Sequence, residues 1–106
     1  MKTKVIIAIA IIALMAGCKK NSTTDSSSYT PSCSGTTKSW INDVKPLMDS
    51  YCVNCHSSYG SYSSVSNSKA NIRSRIVSGS MPQSSSFSTD QKDKIVCWID
   101  NGAPNN

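Results

Sequence analysis

Cys52-Val53-Asn54-Cys55-His56 lies midway along a chain of 106 residues and is the feature around which any fold of this chain has to be arranged. Helical spacing of apolar residues is confined to about Ser39 to Pro104. A domain of that size gains too little from its own apolar burial to offset chain entropy, and is usually completed by disulfides, a metal or a cofactor. The chain supplies five cysteines and a single histidine. Two of those cysteines and the histidine fall within one pentad. Centres that need several imidazoles are excluded from the start.

The first residues stand apart from the domain. Met1-Lys2-Thr3-Lys4 is a short basic region, and Val5 to Ala16 is an unbroken apolar run of 12 residues. That run is well short of the ~20 residues of a membrane-crossing helix and has the length and flanks of an export signal. It ends in Leu14-Met15-Ala16-Gly17-Cys18, two small residues before a cysteine, which resembles a bacterial lipobox. Residues 1–17 are then a signal, and Cys18 is the lipidated first residue of the processed chain. An ordinary signal peptide beside an unrelated cysteine is the alternative. Lys19 directly after Cys18, in place of an acidic residue, favours the outer over the inner membrane by resemblance to sorting rules.

Residues 18–38, which include Lys19-Lys20-Asn21-Ser22-Thr23-Thr24, carry no periodicity and read as a polar tether. Of 11 Lys+Arg against 6 Asp+Glu, Lys2 and Lys4 leave with the signal, so the processed chain carries a formal +3. Nucleic-acid binding therefore gains no support from the basic balance.

Three segments of residues 39–106 have helical spacing. Trp40 to Cys52 is the first, with Asp43 as N-cap, Pro46 in the first turn, and Val44, Leu47, Met48 and Tyr51 on one face. Lys69 to Val77 is the second, with Ile72 and Ile76 four apart and Gly79 as a stop. The third follows a capping box, Ser88-Thr89-Asp90-Gln91; Ile95, Val96, Trp98 and Ile99 form its apolar face, and Gly102 and Pro104 end it. Ser57 to Ser68 and Ser80 to Ser86 are rich in serine and poor in aliphatics. No segment alternates as a strand does. The expected fold class is all-α.

C-x-x-C-H is the attachment signature of a c-type haem. At a helix end, thiols three residues apart face one side, and each can bond a vinyl-derived carbon of the porphyrin. His56 follows directly and is placed to reach the iron as proximal ligand. A redox dithiol is one alternative, though that motif belongs with βαβ units. A zinc site of Cys33, Cys52, Cys55 and Cys97 is another. Twenty-five residues after His56 stands Gly79-Ser80-Met81-Pro82. A thioether is the usual sixth ligand in electron-transfer haems, which makes Met81 the favoured axial partner. Met48 lies on the same helix as the cysteines and reads as packing.

These motifs together, with Trp98-Ile99-Asp100-Asn101-Gly102-Ala103-Pro104 closing the last helix, resemble a small monohaem class I cytochrome c domain. Asp43-Val44-Lys45-Pro46 before the haem motif is similar to lipoprotein-borne versions. The resemblance spans about Ser39 to Pro104 and implies one haem wedged among helices, the first and last crossing near its edge. Ser57-Ser58-Tyr59 stands where many relatives have a proline whose carbonyl accepts the imidazole N–H, so the acceptor for His56 is unassigned. The first helix also lacks a glycine at the crossing point.

With Cys18 given to lipid and Cys52 and Cys55 to haem, Cys33 and Cys97 remain as a pair that an oxidising envelope would join. The bridge would pin the end of the tether to the last helix. Arg75, next to Ile76, is the better of two arginines for a haem propionate, Arg73 being the other. The resulting expectation is a membrane-tethered one-electron carrier, not an enzyme, with haem c as cofactor and envelope redox proteins as donor and acceptor. A haem-based ligand sensor or small haem enzyme with a labile sixth ligand is the main alternative, and a non-haem lipoprotein acting as an interaction module is another. No paired carboxylates or nucleophile–base pair argue for hydrolysis.

Overall fold

Ser39 opens the helical part of the chain. In the computed structural model, which describes residues 28–106, its backbone is extended and its hydroxyl accepts the Asn42 N–H at 3.0 Å. Asp43 is therefore not the N-cap expected from sequence. It lies one turn further on, where its carboxylate accepts the Ser39 N–H at 2.8 Å. The two side chains satisfy each other's backbone donors, as in a capping box, with Ser39 doing the capping. The segment begins as a wide π turn over Trp40–Val44 and tightens into α1, Lys45–Tyr51, with Pro46 in the first turn.

The predicted signal of residues 1–17, the lipidation site Cys18 and the first part of the tether lie outside the described residues. After α1 a 3₁₀ turn over Ser57–Gly60 leads to α2, Tyr62–Asn67, followed by α3, Lys69–Ser78, and α4, Thr89–Asp100. There is no strand among the described residues, and the class is all-α. None of the described helices is long and apolar enough to cross a membrane.

Helix α2 falls inside the serine-rich stretch that lacked helical spacing. Val65, fully buried, is its one aliphatic anchor, and the Tyr62 hydroxyl donates to the Ala103 carbonyl at 2.8 Å. Tertiary packing overrides the weak helix propensity of serine there. Gly79 ends α3 in the left-handed region at φ 77°, a conformation that a Cβ disfavours. The capping box of α4 has both bonds: Gln91 N–H to Ser88 Oγ at 3.2 Å and Ser88 N–H to Gln91 Oε1 at 2.9 Å.

The core is led by Val44, Met48, Val65, Ile95, Val96 and Trp98, all effectively inaccessible to water. Trp40 packs on Trp98 with ring centres 5.6 Å apart, and Tyr62 stands edge-on to both rings. The Trp98 indole N–H donates to the Pro104 carbonyl at 2.9 Å, so its polar tip is satisfied. Asn106 closes the same end: its carbonyl accepts from Ile41 N–H and its side-chain oxygen from Trp40 N–H. The first helical segment is thus fixed against α4 at the Trp40 end. Arg73 on α3 reaches Asp100 at the end of α4 through two bonds of 2.6 and 3.0 Å.

The residues before Ser39 are strapped along α4. A disulfide joins Cys33 to Cys97, with an S–S distance of 2.10 Å. Beside it, Asp93 accepts from both the Tyr29 hydroxyl and the Ser32 N–H. The Lys92 ammonium lies over the Tyr29 ring, 5.0 Å from its centre.

Candidate functional site

Helix α1 ends where the cysteine–histidine pentad begins. The Cys52 and Val53 N–H groups both donate to the Met48 carbonyl, and the chain then leaves the helical path. Cys55 N–H and His56 N–H turn back onto the Cys52 carbonyl, at 3.2 and 2.7 Å. The pentad is therefore wound around a single carbonyl oxygen. His56 breaks the turn with φ −121° and ψ 76° and leads into the 3₁₀ turn. This winding sets Cys52, Cys55 and His56 on the wall of one cavity.

That cavity encloses about 180 Å³ and, counted out through its open mouth, about 890 Å³. Helix α3 contributes Ile72 and Ile76 to its wall, and Phe87 closes it before α4. Tyr51 stands edge-on to Phe87 at 4.9 Å, and the Gln91 side-chain amide donates to the Tyr51 hydroxyl at 3.3 Å. Met48 also borders the cavity but is fully buried in the core, the packing place expected for it. Met81 and Pro82 reach the cavity from the loop after α3, with a cis peptide bond between them. The Met81 N–H is held by the Arg75 carbonyl at 3.3 Å.

The His56 ring stacks on Tyr59, with ring centres 4.7 Å apart and planes 17° from parallel. Tyr59, absent from the site expected from sequence, borders the cavity as well. Nothing in the sequence singles it out. The two arginines part ways: Arg73 is engaged by Asp100, while Arg75 borders the cavity with an exposed side chain.

Burial pushes the Cys52 thiol above the usual thiol range, and Cys52 is a free cysteine. Cys55 is disulfide-bonded. A redox dithiol would need Cys52 and Cys55 bonded to each other. A four-cysteine zinc site would need Cys33 and Cys97 as thiolates, and these are joined in a disulfide. Among the described residues no three His, Cys, Asp or Glu side chains are grouped to hold a metal ion.

No family model matches the chain, and no curated protein or solved structure matches it. Any function assigned to the cavity rests on its own residues.

Proposed function

We propose that the chain is a lipid-anchored one-electron carrier of the monohaem class I cytochrome c kind, facing the periplasm from the outer membrane. One observation carries the reading: Cys52, Cys55, His56 and Met81, from segments 25 residues apart, border the same largely apolar cavity. Two sulfurs, an imidazole and a thioether are the donor set of a covalently attached His/Met haem. A haem there would be held by Cys52, Cys55, His56 and Met81 and would supply reversible one-electron chemistry.

The chain's own residues have separate tasks. The turn around the Cys52 carbonyl presents both attachment sulfurs and the imidazole together. Tyr59 fixes the plane of the His56 ring by stacking. Ile72, Ile76 and Phe87 keep water out, which favours the less charged, reduced state. Arg75 supplies a cation for a propionate. A sulfur already in a disulfide cannot add to a vinyl carbon, so attachment at Cys55 would first need that disulfide reduced by an external dithiol, after which the freed S–H would add across the vinyl double bond. The open mouth leaves an edge for outer-sphere transfer to envelope redox partners. Two haem propionates would bring the formal +3 of the processed chain to about +1, which suits brief docking with little electrostatic steering.

Visible absorption of protein made in a host with c-type haem maturation tests this. A low-spin reduced spectrum, with a thioether-to-iron band in the oxidised form that disappears in Met81→Ala, is the expected result. A high-spin spectrum that shifts with carbon monoxide would move the assignment to a ligand sensor or haem enzyme. Protein that takes up no haem would end it.

A further inference from the structure

We propose that Ser78 is a positioning residue for the Met81 thioether, a role that rests on Met81 being an axial haem ligand. The last carbonyls of a helix have no intrahelical partner and must find one elsewhere. At the end of α3 the Arg75 carbonyl finds three. The Met81 N–H is 3.3 Å away, the Ser78 hydroxyl 3.1 Å and the Ser80 hydroxyl 3.3 Å.

A carbonyl has two lone pairs, so three donors do not all share it equally. The serines resolve the excess between themselves. Their hydroxyl oxygens are 3.1 Å apart, and the Ser80 N–H points at the Ser78 oxygen at 3.4 Å. In the arrangement that uses every group once, the Met81 N–H and the Ser78 O–H take the two lone pairs of Arg75. The Ser80 O–H then turns to Ser78. The Ser78 oxygen donates one bond and accepts two, its full capacity.

Ser78 is thus the hub of the loop. It holds the carbonyl on which the Met81 backbone hangs, and it holds the residue just before Met81. Gly79 between the serines makes the turn possible in its left-handed conformation, and Pro82 limits the backbone of Met81 from the other side. Residue 80 has one other tie to α3, the longer 3.3 Å bond from its hydroxyl to the Arg75 carbonyl. Removing the Ser78 hydroxyl takes away the acceptor of the Ser80 N–H and leaves the Ser80 side chain only its longer bond to Arg75, which loosens the register in which Met81 meets the cavity. Both serines are exposed, so water competes for each bond and the effect is moderate.

The test is an imidazole titration of the oxidised holoprotein, in which imidazole reaches the iron by displacing Met81. One neutral ligand replaces another, and the iron stays ferric. Ser78→Ala is expected to bind imidazole roughly 5-fold more tightly than wild type, Ser80→Ala less so, and Ser78→Thr to return to the wild-type value because it keeps the hydroxyl. Urea midpoints are measured on the same samples. A Ser78→Ala protein whose midpoint falls while its imidazole affinity stays within 2-fold of wild type, roughly the least that a lost hydrogen bond would give, has lost only a helix cap, and the proposal is overturned. If Met81→Ala matches wild type in both spectrum and imidazole affinity, Met81 is not a ligand, and the axial assignment falls together with the proposal.

Discussion

The Tyr29 hydroxyl donates to Asp93 at 2.6 Å, across 64 residues of sequence, and so fixes the strap ahead of the first helix to the middle of α4. Burial, and then the Asp93 carboxylate, hold the Tyr29 phenol far above its ordinary range. The folded protein keeps this proton where the unfolded chain gives it up. The stability it contributes is therefore whole below about pH 10 and is lost as pH rises beyond it. Tyr29→Phe is expected to cost about 1 kcal/mol at neutral pH, discounted for partial exposure, and to flatten the alkaline fall. Urea unfolding of both proteins at pH 7 and above pH 10 checks the difference.

The Cys33–Cys97 bridge closes a loop with a sequence separation of 64. On the chain-entropy argument its removal costs about 4 kcal/mol. The double substitution Cys33→Ala/Cys97→Ala should lower the urea midpoint accordingly, and by more than Tyr29→Phe does. Equal midpoints for the two variants would show that the polar contacts alone secure the strap.

Val65 is the single aliphatic anchor of α2 and is fully buried. Val65→Ala is expected to destabilise by about 2 kcal/mol, reduced a little by the better helix propensity of alanine. Hydrogen exchange should locate the loosening in Tyr62–Asn67 before it reaches α4. Uniform loosening would mean that α2 does not open separately.

Burial raises the pKa of the Cys52 thiol, so less of it is thiolate near neutrality. In haem-free protein, iodoacetamide should alkylate Cys52 several-fold more slowly at pH 8 than it alkylates a small-molecule thiol. Mass-spectrometric rates after peptide digestion measure this directly. In holoprotein the same site should be unreactive, because its sulfur is already a thioether.

Much of the helical framework could be read in the sequence because the signals were local. Ser88 and Gln91 form their capping box within one turn, and Gly79 and Gly102 stop their helices by their own left-handed conformations. Asp43 misled because it is an equally good capping residue by type. Choosing between it and Ser39 depends on where Trp40 must lie to meet Trp98, which is tertiary information. Helix α2 was hidden for a similar reason: its serines carry no pattern, and what holds it is Val65 in the core and Tyr62 at Ala103. In the site, the pentad and Met81 were readable as residue types at a spacing. The stacking of Tyr59 on His56 and the closure by Phe87 were not, since neither aromatic has a sequence signature of its own.

Every residue that borders the cavity, from Met48 to Phe87, lies between the two halves of the Cys33–Cys97 bridge. The wall is therefore part of a covalent ring. A protease that cuts once in the exposed serines at 84–86 opens the ring without releasing a fragment, because both pieces stay joined through sulfur. Two cuts, or one cut and a reductant, are needed before any portion of the wall can diffuse away.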